Sequence, residues 1–376
     1  MKAQQRIFFD FLRFCIGATG EIPVSVKDAD WEVLYGIAKK QALIGVLFHG
    51  IQQLPKELAP NLDLLMLWMG KAQQIRRRNM VMNLQSAKVF AAIKAKGYRC
   101  CILKGQGNAQ MYPDAYMRTS GDVDVWMIED RDKVRKMALA LADNGKLDGK
   151  EIFKHVEVTM DGIPVELHPI PATLNNPRYD YRLRKWLRRN GDLQCSNIVS
   201  LPDEAGKMAV PTNAFNSIYQ LCHLYHHYLY EGIGLRQFVD YYFVVKSEVR
   251  GLENLKTLTN QFENSSVAAL QRELKWLGLW EFAGAVMYVL HEVLGLEEAQ
   301  MIVPMDEKRG KLLLDEIMQG GNFGHHAAKK HRGTMTWLHN IYRLQKDWKL
   351  MWYYPSECLT EPFYRVWHFF WRVYNR

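Results

Sequence analysis

Between Asp28 and Leu54 the apolar residues fall three and four apart, and Asp28 stands where a helix cap would. That spacing gathers them on one face, so the stretch predicts amphipathic helices. The same pattern runs through residues 61–96. At the N-terminus, MKAQQRIFFDFLRFCIG reads as another amphipathic helix, because Asp10 and Arg13 break the apolar run that a secretory signal needs. The period changes after KGY at 96–98. YRCCILKG (98–105) is short, apolar and closed by glycine, as a buried strand entering a turn would be, and GDVDVWMI (121–128) is a second strand. DRDKVRKMALALADNG (130–145) predicts a helix between Asp130 and a terminating glycine. HVEVTMDGIPVELHPI (155–170) predicts a hairpin of two alternating runs joined at Asp161-Gly162. From about residue 211 the helical spacing returns and holds to the end. The predicted class is α+β and helix-rich: a small mixed sheet between helical regions, with no internal repeat.

Composition adds a partner class. The chain has 376 residues, 48% hydrophobic and 24% charged, which suits two or three globular domains. A net charge of +9 and a pI near 9.1 favour anionic partners such as nucleotides, nucleic acid or lipid head groups. No segment offers the roughly 18 uninterrupted apolar residues of a membrane-spanning helix. The six cysteines form no CxxC pair, which fits reduced thiols and a cytoplasmic location.

The second strand carries the candidate chemistry. Side chains at i and i+2 point the same way, so Asp122 and Asp124 share a face while Val123 and Val125 turn to the core. Two close carboxylates push each other toward protonation unless a cation sits between them. Mg2+ suits that place, since it binds carboxylate oxygen and keeps positions for substrate phosphates. The alternative is a solvated strand edge with two ordinary acids. Neighbouring signals favour the cation. Glu166, between Val165 and Leu167, supplies a third acid on another strand, as a two-metal phosphoryl-transfer site requires. LKGQG (103–107) leaves its strand with two glycines, so backbone amides can approach a triphosphate while Lys104 adds charge. Arg118, four residues before Asp122, is placed to reach the same phosphates.

ILKG, then YPDAYMRTSGDVDVWM, then a hairpin ending VELHP resemble the uncharacterised bacterial branch of the polymerase-β-like nucleotidyltransferases, whose members carry an LKG, an RxxGDxD and an acid-x-His on a later strand. The resemblance spans about residues 98–170 and extends more loosely through His223 to Asp240. It implies a nucleotidyltransferase-like core at 97–175, between an N-terminal helical region (1–96) and a C-terminal one (176–376) packing over the cleft. It further implies that Asp122, Asp124 and Glu166 are the catalytic metal ligands for Mg2+. A nucleoside triphosphate would be the substrate, held by Lys104, Gly105, Gln106, Arg118, His168 and His223. The wider superfamily has Gly-Ser after the first strand and a shorter gap to the acids. Here the pair is Gly105-Gln106, with fifteen residues before Asp122, so Lys104 and backbone amides would replace a serine hydroxyl. The implied reaction moves a nucleoside monophosphate, AMP from ATP, to a hydroxyl of an unidentified small-molecule or protein acceptor. The alternatives are an RNA-binding or RNA-modifying protein of the same fold, or a non-catalytic interaction protein. The intact set of three acids argues against the last.

Remaining signals have plainer readings. His223, His227 and Glu231 share one helical face, a conceivable zinc arrangement, though the same helix packing over the cleft would let either histidine touch substrate. His155 and His168 flank the hairpin and would support the acids. Arg236 and Asp240 are spaced for an intrahelical salt bridge. Arg178, Arg182, Arg184, Lys185, Arg188 and Arg189, interleaved with aromatics, read equally as an RNA grip or a solvated basic helix, and nucleic acid is not the favoured partner. The run at 76–78 is assigned no role. The aromatic, arginine-bearing stretch 347–376 reads as a terminal helix packed on the protein, with peripheral membrane contact the less favoured reading.

Overall fold

The computed structural model describes residues 3–148, 153–258, 265–321 and 348–374. Parts of the C-terminal helical pattern, at 259–264, 322–347 and 375–376, lie outside the described residues.

Four N-terminal helices, α1 (Ala3–Cys15), α2 (Trp31–Lys40), α3 (Ile44–Ile51) and α4 (Leu62–Ala95), precede the sheet. The cap of α2 is Asp30, whose side chain accepts from Val33 N at 3.1 Å, while the expected cap Asp28 closes a short 3-10 turn (Val24–Asp28). The sheet contains β1 (Cys100–Leu103), β2 (Val123–Met127), β3 (Val156–Met160) and β4 (Ile163–His168) in the order β1-β2-β4-β3. β1 runs antiparallel to β2, β2 parallel to β4, and β3 antiparallel to β4. Asp161 and Gly162 have φ of 52° and 72°, the two positive values that a tight two-residue hairpin turn demands. α5 (Gly105–Ala109) follows β1 at once, and α6 (Arg131–Leu141), capped by Asp130, begins the crossover from β2 toward β4. The small mixed sheet within a helical body is the expected α+β class.

Among the described residues, the remaining helices are α7 (Pro177–Ser196), α8 (Asn213–Tyr230), α9 (Leu235–Leu258), α10 (Ser265–Trp276), α11 (Trp280–Leu294), α12 (Glu307–Gly320) and α13 (Pro355–Tyr374). A two-stranded ribbon, β5 (Ile198–Ser200) with β6 (Lys207–Ala209), separates α7 from α8. The docking of α8 decides what covers the acids. Trp126 of β2 stacks on Phe215 of α8 at 5.4 Å, and Phe215 stacks on Trp186 of α7 at 4.6 Å. Trp126 lies two residues beyond Asp124 on the same face of β2. The α8 row Phe215, Tyr219, His223, His227, four apart, therefore runs over that face and ends above the carboxylates. Close approach of α7 depends on Gly191, where a Cβ would meet Ile128 Cδ1 at 2.7 Å.

N- and C-terminal helices are bonded to each other. Arg13 donates to Glu292 O at 2.6 Å, and Gln41 donates to Ile317 O at 3.0 Å while accepting from Leu235 N at 2.8 Å. All six cysteines are buried and free. No described helix is long and apolar enough to cross a membrane. On the basic helix α7, Arg182 donates to Trp276 O at 2.6 Å, Arg184 pairs with Asp180 at 2.7 Å and Arg189 with Glu273 at 2.6 Å, so these arginines serve local packing and the contact with α10. α13 packs inward through Glu357, Cys358 and Glu361 and sets Trp367 and Trp371 edge-on to Phe153, leaving Phe363 and Phe370 exposed on its outer side.

Candidate active site

A cavity of about 840 Å3 opens over the β2–β4 face, walled by α8 and by the inner side of α13. Its floor is set by strand register. Asp124 on β2 is directly opposite Glu166 on parallel β4, and Asp122 stands just before β2 at the cavity mouth. Lys104 enters from the end of β1, where it has φ 50° and ψ −128°. A residue with a Cβ held at positive φ is strained by about 1–3 kcal/mol, and here the turn aims the lysine at the acids instead of continuing the strand.

The polar groups form a connected chain. Glu231 Oε2 lies 2.8 Å from His227 Nδ1, and His227 Nε2 lies 3.0 Å from His223 Nε2. His223 is 3.4 Å from Lys104 Nζ, which pairs with Asp124 Oδ2 at 3.0 Å. The other oxygen of Asp124 is 3.0 Å from His168 Nε2, itself 3.4 Å from Glu166 Oε2, which is 3.1 Å from His155 Nδ1. Among the described residues, His155, Glu166 and His168 form a group whose donor atoms all lie within 4.8 Å of one another.

Charge is distributed unevenly over this chain. Burial alone would raise the Asp124 carboxyl, but Lys104 and His168 outweigh it and hold it well below the usual carboxylate range. Asp122 moves the other way, pushed up to about 6 first by the charge of Asp124 and then by burial. Burial opposes ionised Glu166, yet the hydrogen bond from His168 keeps its carboxyl below the ordinary value. His168 is raised because its bonds to Asp124 and Glu166 exceed the cost of burying its charge. His155 falls to about 4 and His223 well below its ordinary value, both chiefly through burial.

Of the residues singled out in the sequence, the cavity gathers Asp122, Asp124, Glu166, Lys104, Gly105, His168 and His223. Gln106 differs. It is 2% exposed, donates to Asn83 Oδ1 and, at 3.4 Å, to Asn79 O, and so is turned beneath α4 and away from the cavity. Arg118 borders the cavity, but its guanidinium is occupied by two 2.7 Å hydrogen bonds to Asp240. Asp240 is thus held from another region of the chain, and Arg236, its expected intrahelical partner, donates to Thr119 O at 2.7 Å. On α8, Glu231 meets His227 through the ring nitrogen farther from His223, so the three side chains do not converge as zinc ligands. Two arginines of the run at 76–78 have a positioning role: Arg76 pairs with Asp114 at 2.8 Å and Arg78 donates to Gly121 O at 3.3 Å, pinning the loop that delivers Asp122.

Several lining residues escaped sequence reasoning. Lys154 Nζ lies 3.0 Å from the His226 ring, and burial brings its ammonium down to about 8. Tyr364, Arg365 and His368 line the cavity from α13. The only sequence signal for them is the placement of polar groups four apart in an otherwise aromatic helix.

No curated protein and no solved structure matches the chain. A family model does: the match to the family described as uncharacterised nucleotidyltransferase covers residues 27–295, more than half of the sequence, and the chain belongs to that family.

Proposed function

We propose that this cavity transfers a nucleoside monophosphate, AMP from ATP, to a hydroxyl of a small molecule or protein. Family membership supports nucleotidyl transfer in general. The observation that carries the finer reading is the placement of Asp124 against Glu166 across parallel strands, with Asp122 two residues away and Lys104 on Asp124.

The donor set fits Mg2+. Asp122, Asp124 and Glu166 offer carboxylate oxygen, and the rise of Asp122 under the charge of Asp124 marks negative charge that a cation would relieve. Held by Asp122 and Asp124, with Glu166 as the third carboxylate of a two-magnesium site, Mg2+ would neutralise the triphosphate. The protein supplies the rest. Lys104 binds phosphate oxygens beside Gly105, whose lack of a side chain lets the backbone approach them. Ionised Glu166 takes the proton of the acceptor hydroxyl as that oxygen bonds the α-phosphorus; the bridging P–O bond to the β-phosphate breaks and pyrophosphate leaves. His168 keeps Glu166 ionised for that step. Catalysis here is mainly positioning and charge neutralisation.

The test is label transfer from α-labelled ATP into candidate hydroxyl acceptors, with Mg2+ and with chelator, after calorimetry of ATP binding. Mg2+-dependent ATP binding by wild type, with transfer abolished in Glu166→Gln, is expected. Failure of wild type to bind any nucleoside triphosphate with a divalent ion overturns the reading.

A further inference from the structure

We infer that His155, Glu166 and His168 form a binding site for one divalent transition-metal ion of the zinc class; it shares Glu166 with the proposed magnesium site, so this ion would stand at Glu166 in place of the second Mg2+. Geometry carries this. A four-coordinate ion about 2.1 Å from each donor needs donors about 3.4 Å apart. Glu166 Oε2 is 3.1 Å from His155 Nδ1 and 3.4 Å from His168 Nε2, and the three donor atoms lie within 4.8 Å of one another. The 3.4 Å separation also matches the edge of a four-coordinate metal polyhedron.

The scaffold supports the same conclusion. Glu166 and His168 are two apart on β4 and share a face, while His155 immediately precedes β3, whose Val156 pairs with Leu167. Glu166 and His168 therefore sit on a strand of the hairpin, and His155 stands one residue before its other strand, which holds much of the ligand set in place before the ion arrives. Two imidazoles and one carboxylate select a borderline ion over Mg2+, which prefers an all-oxygen shell. All three residues line the cavity, so the fourth position faces it, as in metal sites that keep one position for water or substrate.

What the ion would do, polarising the acceptor hydroxyl beside Glu166, rests on the proposed transfer; its binding does not. The probes are Zn2+ and Co2+ alone. Titrated in excess Mg2+, wild type is expected to bind one Zn2+ per chain at micromolar concentration, and the Co2+ form to show the strong visible bands of a four-coordinate ion. His155→Gln and His168→Gln should each weaken Zn2+ binding on the order of 100-fold, whereas His223→Gln should leave it unchanged. Asp122→Asn should lose Mg2+-dependent ATP binding and keep Zn2+, which separates failure of this site from failure of the proposed reaction. X-ray absorption on the wild-type zinc form gives a reading independent of variant folding, with two imidazole ligands expected. Absence of Zn2+ binding, an unchanged affinity in His155→Gln, or a zinc shell without two imidazoles overturns the site.

Discussion

Arg118 and Asp240 are joined by two 2.7 Å hydrogen bonds, 122 positions apart in sequence, with both side chains buried. Tyr112 donates a further 2.6 Å bond to the same carboxylate. The pair ties the loop before the paired aspartates to α9. Removing one partner strands a charge in the interior, so Asp240→Ala should cost about 3–5 kcal/mol. Urea denaturation measures it. A loss below about 1 kcal/mol would mean that the guanidinium finds water or another acid. Arg118→Met with Asp240→Leu should recover much of the loss, because the Arg118 charge is then no longer stranded.

How much of this was legible beforehand depends on whether the cause was local. Alternation at Asp122-Val123-Asp124 and at Val165-Glu166-Leu167 placed the acids on strand faces because period-two patterning is a property of a few consecutive residues. Asp161-Gly162 named its own turn for the same reason. The Arg118–Asp240 pair was not readable, since spacing alone favoured Arg236, and nothing in a sequence states which loop a helix packs against. Gln106 misled because glycine neighbours suggest an open loop, while the chain continues directly into α5 and its amide is claimed by Asn83. Tyr364 and His368 reach the cavity only through the docking of α13, a long-range event that local pattern does not encode.

Gly45 should tolerate no side chain. It lies where α3 crosses the segment before Arg118, and a Cβ there would meet the Met117 carbonyl oxygen at 2.3 Å. That neighbour is backbone and cannot swing away, so Gly45→Ala should destabilise by about 1–3 kcal/mol through forced separation of the two segments. Thermal unfolding of Gly45→Ala beside Gly36→Ala, where a Cβ would find nothing within 4 Å, isolates the effect. Equal melting temperatures for the two variants would refute it.

Glu357 gives the folded protein a pH dependence away from the carboxylate cluster. Its carboxyl accepts from Asn175 N at 2.6 Å and Asn176 N at 3.4 Å, yet burial dominates and pushes it up from 4.5 to about 7. The folded state therefore holds a proton that the unfolded state has released between these values. Stability from this group is complete below pH 4.5, falls as pH rises to about 7, and is flat beyond. Glu357→Gln should remove that slope, a relative gain on the order of 2–4 kcal/mol at pH 8. Denaturant titrations of both proteins at pH 4.5, 6 and 8 would show it, and parallel curves would exclude it.

Asp122→Asn and Asp124→Asn remove the same charge and should nonetheless behave differently. Asp124 answers Lys104 at 3.0 Å and His168 at 3.0 Å inside the protein, so its loss leaves the buried ammonium without its nearest anion. A cost on the order of 3 kcal/mol is expected. Asp122 stands at the cavity mouth, where repulsion from Asp124, and after it burial of the carboxyl, raises it to about 6. The ion-free protein is relieved when that charge goes, so Asp122→Asn should be neutral or slightly stabilising at pH 8. The signs with pH are opposite as well. Asp122, raised, contributes stability below its unfolded value that is lost as pH rises through about 6, whereas Asp124, depressed, contributes stability that is lost only in strong acid. Both variants should lose Mg2+-dependent ATP binding, since each withdraws a ligand from the same ion. Lys104→Ala should weaken ATP binding without abolishing its Mg2+ dependence, since Asp122 and Asp124 would still hold the ion. Calorimetric ATP titrations with and without Mg2+, paired with urea curves for each protein, separate the two effects. If Asp122→Asn proves as unstable as Asp124→Asn, the charge asymmetry is wrong; if it binds ATP and Mg2+ as wild type does, Asp122 is a solvated acid outside the metal site.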